Sequence, residues 1–218
     1  MDTTFLKEFS TAACKVIQRK GDELLLEALT EIKIDAIEGL PRNIALYGYK
    51  GTGKTTLART FSFYNTRWKV LSFAQPIKDM VRVFLQSAGV SEMDINYYMT
   101  ESKQEPVPNL GVTVRDLLGR MTGFHDWTEV MRNKVISINQ TCGNIIVDDM
   151  RRPKEYYMLK ERGFFMVRVY RTAVGFDAYD GFEGQLDDFK FDLELNIEGM
   201  KFVTFIRHIL KKVEEISR

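Results

Sequence analysis

Residues 48–55 read Gly-Tyr-Lys-Gly-Thr-Gly-Lys-Thr. They fit the pattern G-x-x-x-x-G-K-[ST], which restricts the surrounding fold more than any other feature of the chain. Glycines at this spacing let the main chain take backbone angles closed to other residues and approach a bound group closely. Successive N–H groups then form a concave anion site, and a following helix aims its positive dipole end at the same point. The context agrees: the apolar run "NIALYG" precedes the loop, and the helix-like "KTTLARTF" follows it. Such a loop cradles the phosphates of a nucleoside triphosphate, with Lys54 on the terminal phosphates and the Thr55 hydroxyl on a Mg²⁺ ion. Gly48, Lys50, Gly51, Thr52, Gly53, Lys54, Thr55 and Thr56 are the expected cradle.

The rest of the chain supplies the scaffold that this loop requires. "KVLSFA" (69–74), "NIIVDD" (144–149) and "FFMVRVY" (164–170) are near-continuous apolar runs, suited to strands buried on both faces. "FDLELNIEG" (191–199) alternates instead, which suits a strand nearer an edge. Helical periodicity fills residues 54–65, 76–88, 112–122, 126–140, 153–162 and 200–216. This alternation predicts a three-layer α/β fold with five mostly parallel strands. Residues 1–40 read as two helices in front of the core, so the expected division is a helical extension (1–40) and a nucleotide-binding domain (41–218). The extension either packs on the core or pairs two chains into a homodimer.

With 31 basic and 30 acidic residues the net charge is +1, so the chain as a whole does not attract nucleic acid polymers or anionic membrane. Its anionic partners should be small and held by local clusters. The two cysteines, Cys14 and Cys142, are far apart and lack metal-ligand spacing, which fits free thiols in a reducing cytoplasm. No apolar run reaches the ~18 residues of a membrane span.

A loop of this kind also needs an acidic group at a neighbouring strand end for the Mg²⁺ shell. Asp148 and Asp149 close "NIIVDD". Neighbours on a strand face opposite ways, so one of the two faces the ion. Asp149 is assigned that role here, with Asp148 left open as the alternative. Beyond it stand Arg151 and Arg152, at the strand edge where open α/β sheets form their ligand crevice. Lys78 lies in the first turns of a helix after "KVLSFA", and "GVTVRDLLGRMTGFHDW" adds Arg115, Arg120 and Trp127. Cations from several segments thus converge on one pocket suited to a second phosphorylated ligand. Trp127 either stacks on a base or anchors a helix. No Asn-Lys-x-Asp for guanine is present.

Taken together, "GYKGTGKTT", "FAQPIKDMV", "TVRDLLGRMTG", "VDDMRRPKE…LKERGFFMVRVYR" and "FEGQLDDFKFDLELNIEG" resemble deoxynucleoside monophosphate kinases of the bacteriophage type, within the P-loop nucleotide kinases. The resemblance covers residues 43 to 200 in the family's order, and the Asp-x-Arg-x-Pro-x-Glu piece (149–155) is its narrowest part. It departs from the family before "LDD", where "DGFEGQ" keeps Glu183 but lacks the usual histidine and serine. The resemblance implies ATP at Gly48–Thr56 and a nucleoside monophosphate near Lys78, Arg115 and Arg151; Trp127, Arg152 and Glu155 are expected to line the same substrate site. The resemblance also implies a mobile lid contributing Arg171 or a neighbour. Lys54, Asp149 and Arg151 are the expected catalytic residues, and the expected location is the cytoplasm, the host's if the chain is viral. The alternatives are another small-molecule kinase of dephospho-coenzyme A kinase type, or an ATP-binding regulatory module that transfers nothing.

Overall fold

The computed structural model describes residues 39–64, 66–122, 126–141, 143–174 and 184–217 of the 218. The expected N-terminal helices, His125, Glu183 and both cysteines lie outside the described residues.

Five strands form one all-parallel sheet: β1 (Asn43–Tyr47), β2 (Trp68–Leu71), β3 (Asn144–Val147), β4 (Phe165–Tyr170) and β5 (Leu193–Asn196). Their spatial order is β2-β3-β1-β4-β5. Among the described residues seven helices connect and flank them: α1 (Lys54–Tyr64), α2 (Gln75–Ser87), α3 (Glu92–Thr100), α4 (Val114–Thr122), α5 (Trp127–Gln140), α6 (Pro153–Glu161) and α7 (Phe202–Ser217). β1 lies at the centre, and the chain leaves it toward β2 on one side, then returns through β3 to β4 on the other. Such a reversal of winding opens a crevice beyond the C-terminal ends of the central strands.

Side-chain alternation along the strands builds two cores. Ile44, Leu46, Ile146, Val167 and Val169 face one way and pack with Phe61 of α1 and with Phe202, Phe205 and Ile209 of α7. Ala45, Tyr47, Ile145, Val147 and Met166 face the other way, against Met131 and Val135 of α5 and Tyr156 and Leu159 of α6. Both sheet faces are therefore covered, which is why β1 and β3 read as unbroken apolar runs. β5 pairs only with β4, and its Glu194 and Asn196 are exposed, as its alternation predicts.

The sequence reading misses two features. One is α3, whose only fully buried residue is Ile95; with so thin an apolar stripe, periodicity does not reveal it. Its legible signal is Ser91, whose hydroxyl accepts the Asp94 N–H at 3.1 Å while Glu92 and Asp94 sit in the first turn. The other is a third core, in which Val81, Leu85, Ile95, Val107, Val114 and Leu117 join α2, α3 and α4 into a helical outwork. No helix among the described residues is long and apolar enough to cross a membrane.

Candidate functional site at the strand C-termini

The glycine loop leaves β1 and is held hard against β4. A Cβ at Gly48 would lie 2.1 Å from the Val169 carbonyl oxygen, so no other residue fits there without moving a buried strand. Gly51 and Gly53 have φ of +84° and +98°, in the left-handed region that favours glycine. Thr52 is buried and closes the turn by donating its hydroxyl to the Tyr49 carbonyl at 2.9 Å. Lys54 is almost wholly buried, and its ammonium donates to the carbonyls of Gly48 (2.5 Å) and Tyr49 (2.8 Å). Those carbonyls hold the positive charge inside the loop, at the N-terminus of α1. Lys50 and Thr55 are exposed, and Thr56 is half-buried on the same first turn.

The two aspartates after β3 point to different tasks. Asp149 is turned to the β2–α2 connection: its carboxylate accepts from the Ser72 hydroxyl (2.5 Å), the Phe73 N–H (2.7 Å) and the Ala74 N–H (2.9 Å). That binds the ends of two strands together and uses both carboxylate oxygens. Asp148 is buried and hydrogen-bonded to the Thr55 hydroxyl, and its Oδ1 has no protein partner. Burial, and next the Asp149 charge, push the Asp148 carboxyl above the ordinary range; the Thr55 hydroxyl and the Lys78 ammonium pull it back. The geometry therefore favours Asp148, and not the expected Asp149, as the acidic partner of Thr55. An orphaned carboxylate oxygen beside a hydroxyl fits the oxygen ligands a hard divalent cation takes, so Asp148 and Thr55 could hold one. Among the described residues no group of three or more acidic, His or Cys side chains forms a metal cage.

Lys78, half-buried on α2, lies within electrostatic reach of Asp148 and also of Lys103. Lys103 is absent from the sequence reading. Burial, then the like charges of Lys78 and Lys50, hold its ammonium below the usual lysine range. Its carbonyl accepts the Arg115 N–H at 2.9 Å, which seats it at the start of α4. Sequence gave no signal for Lys103, because it lies in a non-periodic connection that only the helical outwork folds back toward the loop.

Arg151 and Arg152 are half-buried where the chain turns from β3 into α6. Glu155 is buried beneath them and accepts both of their backbone N–H groups, at 2.7 and 3.1 Å. Through one carboxylate oxygen it shapes the turn that presents the arginines. Desolvation raises the Glu155 pKa to about 7 against the pull of these two bonds. Trp127 opens α5 and donates its indole N–H to the Met121 carbonyl at 3.3 Å, which ties α5 to the end of α4. Of its two expected roles, the anchor is the one with a visible contact.

Arg171 follows β4 and crosses the loop from the other side. Its Nη2 lies 3.1 Å from where a Gly53 Cβ would be, and its Nε is buried without a protein partner. With Thr56, Leu57, Ile197 and Met200 it lines a slot of about 30 Å³ beside the loop. That is room for about one or two waters.

No family model matches the chain, and no curated protein matches it.

Proposed function

We propose that the chain is an ATP-dependent kinase of (deoxy)nucleoside monophosphates, built on a P-loop nucleotide kinase fold. The observation that carries this reading is the position of Lys78, which lies within electrostatic reach both of Lys103 and of the Asp148 carboxylate that holds the Thr55 hydroxyl. Burial, and then neighbouring like charge, disfavour the Lys103 ammonium beside Lys78, and a second phosphate group there relieves that cost. An ATP sensor has no such need.

In this reading the loop N–H groups and Lys54 hold the ATP phosphates, and Thr55 and Asp148 would hold Mg²⁺. The ion, when bound, offsets charge on the β- and γ-phosphates. Lys78, Lys103, Arg115 and Arg151 hold the acceptor phosphate, the arginines fixing its angle through paired N–H bonds. The attacking oxygen is already anionic near neutral pH, so no general base is required. What the side chains contribute is alignment of two repelling anions and stabilisation of the charge between them. Arg171, with its slot, lies on the flank along which the rest of the ATP would extend.

The test is ADP release from ATP with each common monophosphate and its deoxy form in turn. Acceptor-dependent release is expected. Release stimulated only by non-nucleotide acceptors would move the assignment to another small-molecule kinase, and ATP binding with no acceptor-dependent release would mark a regulatory module.

A further inference from the structure

Asp187 lies far along the chain from the glycine loop, yet its carboxylate reaches into it. One oxygen accepts the Tyr49 hydroxyl at 2.5 Å, and Tyr49 is the second residue of the loop. The other oxygen accepts the Tyr47 hydroxyl of β1 at 2.7 Å and the Arg168 guanidinium of β4 at 2.9 Å. Arg168 also donates to the Asp187 main-chain carbonyl at 3.0 Å, so it grips both ends of the residue. The Arg168 guanidinium lies 5.7 Å from the Tyr47 ring centre, and the other face of the knot is closed by Phe191, stacked on Tyr47 at 5.3 Å.

Two details separate this knot from ordinary packing. A bare carboxylate this close to a phosphate cradle would repel the ligand; pairing with Arg168 neutralises it, which leaves Asp187 able to order the loop without opposing an anion. Moreover, the loop touches β4 at two successive residues, sterically at Gly48 against Val169 and polarly at Tyr49 through Asp187 and Arg168. The Tyr49 carbonyl, in turn, is one of the acceptors that hold Lys54. A chain of direct contacts thus runs from Arg168 through Asp187 and Tyr49 to the Lys54 ammonium.

We propose that Asp187 is a positioning residue for triphosphate binding: by fixing Tyr49 it sets the loop carbonyls that aim Lys54. This rests on the loop binding a triphosphate, though not on transfer to a monophosphate. The experiment measures ATP affinity by calorimetry, in the absence of any acceptor, for Tyr49→Phe, Asp187→Asn and the double variant, together with the melting temperature of each. Tyr49→Phe removes only the loop's own bond and should weaken ATP about tenfold, the loss expected for a hydrogen bond to a charged group. Asp187→Asn should weaken ATP at least as much, and the double variant no further than Asp187→Asn alone, because both changes break one contact. Asp187→Glu, which keeps the charge and lengthens the reach, should recover part of the affinity. Lowered melting temperatures with unchanged ATP affinity in both single variants would overturn the proposal and leave a purely structural knot, and so would additive losses in the double variant. If the wild-type chain bound no ATP, the reading of the loop itself would fail, an outcome distinct from either of these.

Discussion

The two flanks of the glycine loop are built on opposite principles. Toward β4 the loop meets a paired knot: Arg168 with Asp187, both phenols on the same carboxylate, and Gly48 pressed on a carbonyl, with Arg171 beyond it. Toward β2 and β3, Lys78 lies within electrostatic reach of Lys103 and of a buried aspartate with an orphaned oxygen. The first flank is complete in the absence of ligand and fixes a shape. The second leaves the Asp148 Oδ1 without a protein partner, and in the proposed function it is where anions and a cation would enter. Shape and charge are thus carried by different strands, and substitutions on the two flanks should fail in different ways.

The largest expected difference lies within the charged flank, between adjacent residues. Asp148→Asn should lower turnover on the order of 1,000-fold, about 4 kcal/mol of transition-state stabilisation, with little change in melting temperature. Asp149→Asn should instead destabilise the fold, because three donors on the β2–α2 connection lose their charged acceptor. Kinetics and thermal melts on the pair check this; reversed behaviour would return the metal role to Asp149.

Next comes the cost of the charged flank as it depends on pH. Glu155 binds its proton more tightly in the folded chain, with a pKa of about 7, than in the unfolded chain, where it titrates near 4.5. Its contribution to stability is therefore present in full below about pH 4.5 and is lost as the pH rises to about 7, by up to about 3 kcal/mol. Glu155→Gln should remove that slope from denaturant-derived stability measured across this window, and parallel curves for the two proteins would contradict it.

A smaller effect sharpens the division between donor and acceptor. Lys103→Met should raise the monophosphate KM about 10-fold, near 1.4 kcal/mol, while leaving ATP affinity within about twofold. It should also leave the fold as stable as before or slightly more so, since a like charge is removed from beside Lys78 and Lys50. An unchanged acceptor KM would take Lys103 out of the site.

What was legible in the sequence follows the same division. The loop, the five strands and the crevice edge could be read because they rest on local periodicity, glycine geometry and one motif. The apolar runs of β1 and β3 report burial on both faces, and the alternation of β5 reports an edge. Asp148 and Asp149 could not be separated, since adjacent carboxylates at a strand end differ only in which way the next connection draws them; Ser72, Phe73 and Ala74 decide that. Lys103 and Asp187 were illegible for a related reason. Each acts at a distance along the chain, through a connection whose path depends on the helical outwork or on the β4–β5 register, and neither leaves a periodic trace. The bonds of Glu155 to the Arg151 and Arg152 N–H groups were not legible either, because a motif records that a carboxylate is present without recording what it holds.

The central claim is that the loop and the lysine flank hold two phosphorylated ligands end to end. The most direct measurement is the affinity, in the presence of Mg²⁺, of a bisubstrate molecule in which adenosine and a second nucleoside are joined by a five-phosphate bridge. The account predicts binding at least ~100-fold tighter than ATP alone, because one molecule engages both sites, and an affinity about 10-fold weaker in Lys103→Met. Affinity no greater than that of ATP, insensitive to Lys103, would contradict it.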